Sequence, residues 1–249
     1  MKNLVKKIPG TKRLFLFLKM LKRILYNVFL ECSGILGLGF EVQSKLLLKS
    51  NFQKLIWINP NSITYVAPKN TSNKFIITID DSLIKTIEAS RPTIPVTIEK
   101  MFVDKESYDK TPQFLYMMKK VHNGEKAYYC QTEADVHHYF QKLKGTYTSM
   151  KTNGYLLQEE LRKTNHKLID PRKKKNNNDE LQIVISKDRF LLGGGGTHRL
   201  LIAKLLNLDK SAGIVKYVDK AWAKEVFDKN KTKNLKKVIH NELNHISFK

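Results

Sequence analysis

Cysteine is almost missing from this chain: Cys32 and Cys130 are its two thiols, and their spacing matches no metal-binding pattern. That excludes a disulfide framework and a cysteine-built zinc site, and it suits a reducing, cytoplasmic setting. Negative charge is scarce too, with 23 Asp and Glu against 45 Lys and Arg, a formal net charge of +22. Such a balance suits polyanionic partners: nucleic acid, anionic lipid or nucleotides. The same bias arises without any such partner when Lys, Asn and Ile are abundant together, as in A/T-rich coding sequence. Arginine, favoured for bidentate phosphate and base contacts, is far outnumbered by lysine. Nucleic acid therefore stays open as a partner without being favoured.

A long apolar run is also lacking. Ile24 to Phe40 is the most apolar stretch near the start, but Glu31 and three glycines interrupt it and it is short for a membrane span. No small-residue cleavage site follows it, so Asn70-Thr71-Ser72 and Asn230-Lys231-Thr232 are read as chance glycosylation triplets.

What is present begins with a basic amphipathic pattern. On a helical projection Lys12, Lys19, Lys22, Arg23 and Tyr26 share one side, and Leu14, Phe17, Leu18, Leu21, Leu25 and Phe29 the other. Residues 12–29 thus suit an anionic membrane surface or a partner groove, while packing on the protein's own core, or a span or signal, are the competing readings. Apolar content of 41% in 249 residues supports one large domain, or a domain with appendages.

Further on, residues 54–66 predict two strands broken at Asn59-Pro60-Asn61, and Phe75 to Ile79 another. Asp80-Asp81 reads as a solvated cap or turn, with a metal ion as the alternative. Arg91 to Pro95 is expected to be rigid and extended, and Pro95 to Phe102 a strand. Thr111-Pro112 predicts a helix start, Asn123-Gly124 its end, and Thr132 the cap of a second helix that Gly145 breaks. Tyr147 to Lys151 then forms a third helix, closed by Gly154. His137 and His138 are adjacent, so they face different sides of a helix and make a poor metal pair. Asp170 to Asp179 is a basic low-complexity loop, either solvated or in contact with nucleic acid or lipid. Ile214 to Val218 predicts a strand, and Trp222 begins a last helix.

The stretch Leu181 to Leu208 carries chemistry in its order. Leu181 to Ile185 and Phe190 to Leu192 read as strands, with Gln182 and Val184 facing away from Leu181, Ile183 and Ile185. Gly193 to Gly196 follow, then Thr197-His198-Arg199 and an amphipathic helix ending near Asn207. A strand entering a helix through glycines lets backbone approach a ligand, and the free N–H groups of the first turn favour an anion. Thr197 is placed to cap the helix or meet a phosphate oxygen, and Arg199 to clamp it. The alternative is a flexible turn that binds nothing: this is neither a Walker loop nor a dinucleotide fingerprint.

Gly195-Gly196-Thr197-His198-Arg199 resembles the Gly-x-His-Arg box of the ParB/sulfiredoxin superfamily, which holds nucleotide phosphate. Thr197 stands where sulfiredoxins carry their cysteine nucleophile, so sulfiredoxin activity is not expected. Gly195 stands where other ParB-like proteins carry Asp. Ser149 to Tyr155 is similar to an SIKxNGY segment of ParB-like proteins, Leu55 to Ile63 to their opening strand, and Ile214 to Trp222 to their closing strand. Asp219 takes the place of a His often found before that Trp.

The expected fold is mixed α/β: a ParB/sulfiredoxin-like small sheet with surrounding helices and an N-terminal amphipathic extension. The division expected is 1–50, a ParB-like domain over 51–225 with a helical insertion at about 104–150, and a basic helix or tail over 226–249. The resemblance implies a nucleoside triphosphate, ATP or CTP, with Mg²⁺, held by Gly194, Gly195, Gly196, Thr197, His198 and Arg199. Lys151, Asn153 and Gly154 are accessory candidates. Two functions follow: an ATP-dependent phosphotransferase or NTP hydrolase, with Arg199 and His198 supplying charge, or a nucleotide-gated binder of nucleic acid. With about 27 residues after Trp222, too few for the helix-turn-helix module of DNA-partitioning relatives, the first, or a simple ligand-binding domain, is the better expectation.

Overall fold

A computed structural model describes residues 11–47, 54–69, 74–164, 180–231 and 234–247. The chain is mixed α/β, and ten α-helices occur among the described residues. The first two are α1 (Thr11–Cys32) and α2 (Phe40–Leu47). Strands β1 (Lys54–Ile58) and β2 (Ile63–Val66) flank a single 3-10 turn, whose cap is Asn59 accepting from the N–H of Asn61 at 2.8 Å. Next come β3 (Ile76–Ile77), β4 (Lys85–Thr86), α3 (Ile87–Ser90) and α4 (Thr93–Phe102). The helical middle is α5 (Pro112–His122), α6 (Glu133–Asn153) and α7 (Gln158–Thr164). The last third runs β5 (Leu181–Ile185), β6 (Phe190–Leu192), α8 (Thr197–Leu205), β7 (Ser211–Asp219), α9 (Lys220–Lys229) and α10 (Leu235–Ile246).

The sheet is open and mixed, in the order β1-β7-β5-β6-β2-β4, with β3 pairing β7 beyond this path. β7 is its spine: it runs parallel to β5 and β3 and antiparallel to β1. β5 and β6 form an antiparallel hairpin, and β6 runs parallel to β2. Val184, expected to face away from the core, is fully buried together with Leu181 and Ile183. β5 is covered on both faces, and a strand in that position is apolar throughout rather than alternating.

Three further expectations give way here. Pro95 to Phe102 is not a strand, and Arg91 to Pro95 is not extended: α4 begins at Thr93. Pro95 lies in its first turn, where a backbone N–H has no helical partner to lose. Ile94, Ile98, Met101 and Phe102 then recur at helical spacing and are buried. Likewise Gly145 does not break its helix. α6 runs unbroken from a capping box, in which Thr132 accepts from the Asp135 N–H, to Gly154 at φ 70°. A single glycine costs a helix about 1 kcal/mol, and the core contacts of Val136, Phe140, Leu143 and Met150 on either side outweigh it. Asp80 caps a short turn by accepting from Ser82, as expected. The loop 170–179 and the triplet Asn70-Thr71-Ser72 lie outside the described residues.

Candidate functional site

The route from β6 into α8 has the strand–glycine–helix form expected of it. Gly194 and Gly196 adopt positive φ, 133° and 90°, and Gly196 is the N-cap. Capping by Thr197 is therefore not observed: Thr197 is the first helical residue, and no side chain caps the helix. The first intrahelical bond is from Leu200 N–H to the Gly196 carbonyl. The N–H groups of Thr197, His198 and Arg199 consequently find no acceptor among the described residues, and they carry the positive end of the helix dipole.

Packing alone already demands glycine at 196. A Cβ there would lie 2.5 Å from Leu181 Cδ2 and 2.9 Å from Leu181 Cα. At Gly195 the nearest atom would be the flexible Gln182 Nε2, at 3.1 Å. Glycine at 196 thus serves the approach of α8 to β5, whatever else it serves.

This turn opens on a cleft of about 350 Å³. Arg91, from the segment between α3 and α4, crosses its floor: Nη1 donates to the Thr197 hydroxyl and Nη2 to the Gly194 carbonyl at 2.8 Å. Removal from water pulls the Arg91 pKa below its ordinary value. Lys142 and Thr146 of α6 line the wall, as do Tyr128, Tyr129 and Tyr139. Tyr128 and Tyr129 form the tip of a tight turn closed by paired backbone hydrogen bonds between Ala127 and Cys130. Tyr128 sits at φ 55°, a left-handed conformation that an aromatic residue rarely adopts, and its ring stacks 5.9 Å from that of Tyr139.

His198 and Arg199 line the cleft but are committed to the protein. His198 Nε2 donates to Gln113 Oε1 at 2.8 Å, and the Tyr139 hydroxyl lies 3.3 Å from the same nitrogen. Burial, then the charge of Arg91, push its pKa down to about 4, so the ring is neutral near pH 7 and supplies no charge. Arg199 Nη1 donates to Glu180 Oε2 at 2.7 Å and Nη2 to the Leu156 carbonyl at 2.6 Å. Its guanidinium rests 4.2 Å from the Tyr155 ring centre, and the ion pair is almost fully enclosed, with 11% and 5% of the two side chains exposed. The free clamp expected at this position is not what the geometry offers.

Of the accessory candidates, Lys151 and Asn153 are exposed on the last turn of α6, Gly154 ends it, and none lines the cleft. The neighbouring Tyr155 does not line the cleft either; its ring supports Arg199 and its hydroxyl donates to the Ala212 carbonyl. Asp219 accepts from the Ile79 N–H at 3.2 Å and so ties the segment after β3 to the spine strand. Residues that sequence reasoning missed are Arg91, Lys142 and the three tyrosines. Arg91 carried one faint signal, being among only seven arginines in a lysine-rich chain.

A second, larger groove of about 520 Å³ lies beside β3. It is lined by Lys45, Lys69 and Lys74, but Lys220 is paired there with Glu41 at 2.9 Å and the carboxylate of Asp80 adds further negative charge to its lining. The cleft at α8 is the better-built site. No family model matches the chain, and neither the curated proteins nor the solved structures searched yield a match.

Proposed function

We propose that this chain binds a nucleoside triphosphate in the cleft at α8, in the manner of a ParB/sulfiredoxin-like protein. The phosphates lie against the first turn of α8 and Arg91, and the base lies against Tyr128 and Tyr129. One observation supports this above the rest. The unpaired N–H groups that begin α8 face a cleft lined by the cations Arg91 and Lys142, with no carboxylate among the described lining residues and with the charge of Arg199 offset by Glu180 behind it. Such a lining favours an anion, and the exposed tyrosine faces suit a planar ring.

The same residues fit a nucleotide better than a protein-held Mg²⁺. No group of three or more potential metal ligands occurs among the described residues. A Mg²⁺ arriving with the triphosphate would be held by phosphate oxygens and water. General-base catalysis fits poorly as well. His198 is held neutral with a pKa of about 4, and burial raises that of Tyr139, so neither titrates near neutral pH. A nucleotide-gated binding role is therefore preferred to phosphotransfer.

The test is a thermal-shift panel with ATP, CTP, GTP, inorganic triphosphate and the free nucleosides. A triphosphate at about a hundred times its Kd adds roughly 2.7 kcal/mol, or about 5–10 °C for a chain of this size. Inorganic triphosphate is expected to give a smaller shift and nucleosides almost none. Absence of a shift with every nucleotide would end the proposal.

A further inference from the structure

Helix α1 packs chiefly on α2 and leaves its own apolar side to solvent. Phe17, Leu18, Leu21, Leu25 and Phe29 are each 40–61% exposed. The apolar surface continues into the following turn, where Ile35 is 87% and Leu36 56% exposed. An apolar surface of this extent on a water-facing helix marks an interaction site. The reading in which α1 packs on the protein's own core does not hold.

The opposite side is basic. Lys19 and Lys22, one turn apart, are both exposed. At 1.5 Å per residue the 22 residues of α1 extend about 33 Å. No helix among the described residues is long and apolar enough to cross a membrane. We infer that α1 is an interfacial anchor, lying in the plane of an anionic lipid surface with its apolar side among the acyl chains and its lysines at the headgroups.

Charge decides between the candidate occupants. A lipid surface bearing phosphatidylserine satisfies the apolar and the basic side together. A second copy of this chain would cover the apolar side only by bringing together two molecules of net charge +22. Lying in the interface also explains why the aromatic and aliphatic side chains spread over a broad arc instead of a narrow coiled-coil seam.

The test is flotation of the full chain with phosphatidylserine/phosphatidylcholine vesicles and with phosphatidylcholine alone, at low and high salt. The chain is expected to float with the anionic vesicles, weakly with the neutral ones, and to be released in part by salt. The double variant Lys19→Gln/Lys22→Gln should lower partition onto anionic vesicles roughly 25-fold, about fivefold per lysine. Phe17→Ser/Leu25→Ser should lose binding to both kinds of vesicle. Both variants should melt like the parent, because the altered side chains are exposed in the free protein. Equal binding to neutral and anionic vesicles, or binding indifferent to both double variants, overturns the inference. So does failure to float by a chain that elutes as a dimer dispersed by Phe17→Ser/Leu25→Ser, an outcome that gives the surface to a second copy.

Discussion

Removing the carboxylate of Glu180 should be among the most damaging single changes in this protein. Glu180 is 4% exposed, and besides the Arg199 guanidinium its carboxylate accepts the Gln158 N–H and lies 3.4 Å from the Tyr155 hydroxyl. Glu180→Ala leaves the Arg199 cation enclosed with only the Leu156 carbonyl and the Tyr155 ring for company. Breaking a buried pair in this way costs about 3–5 kcal/mol, mainly because the surviving charge is uncompensated. At about 2–4 °C per kcal/mol for a chain of this length, the melting temperature should fall by roughly 6–20 °C. The double variant Glu180→Leu/Arg199→Met removes both charges and should cost far less than the two single changes together. Urea melts followed by circular dichroism give the four free energies of the cycle. A loss below about 1 kcal/mol for Glu180→Ala, the behaviour of an exposed pair, would refute the reasoning. Arg199 would then be free to act on a phosphate.

Three further outcomes are expected. Because the folded pKa of His198 lies near 4, below the unfolded value of about 6.5, the unfolded chain takes up a proton first as pH falls. Its contribution is present above about pH 6.5 and is lost toward pH 4, by up to about 3 kcal/mol, and His198→Gln should flatten the stability–pH curve measured by urea melts over that window. Gly195→Ala should fold and melt near the parent, while Gly196→Ala should lose about 1–3 kcal/mol through its positive φ and the clash with Leu181, measured by thermal melt without ligand. Tyr128→Gly should match or slightly exceed the parent in stability, because it relieves the left-handed conformation at φ 55°, while weakening nucleotide binding in a thermal-shift titration.

The core of the site was legible because its order is local. Leu181 to Leu206 states two strands, a turn and a helix through periodicity and glycine alone, and the structure has those elements there. Thr132 and Asp80 were equally readable, since a cap acts within three residues of itself, and so was the helix start at Pro112, although the Thr111 hydroxyl donates to the Tyr108 carbonyl and does not cap it. What escaped depends on tertiary neighbours. Val184 looks like an outward residue until both faces of β5 are covered. Pro95 looks like an extended-chain residue until the helical recurrence of Ile94, Ile98 and Met101 is given more weight than the proline. Arg91 lies about a hundred residues from the glycine run it crosses, and nothing near it in sequence says so. Arg199 illustrates the reverse error. Its position beside a helix start suggested a clamp, whereas Glu180, 19 residues upstream at the start of β5, holds it in place. The apolar side of α1 was visible at once, but only the packing shows that the sheet does not cover it.

The central claim rests on Arg91 and the start of α8 as the phosphate site. It is tested most directly by calorimetric titration of ATP, CTP and GTP, each with Mg²⁺, into the parent chain and into Arg91→Gln, with each fold checked by circular dichroism. The account predicts saturable binding of at least one triphosphate to the parent. Arg91→Gln should weaken that binding about 10- to 150-fold, the loss of one charge-assisted phosphate contact of about 1.5–3 kcal/mol. Undiminished affinity in folded Arg91→Gln, or no heat with any triphosphate in the parent, would contradict it.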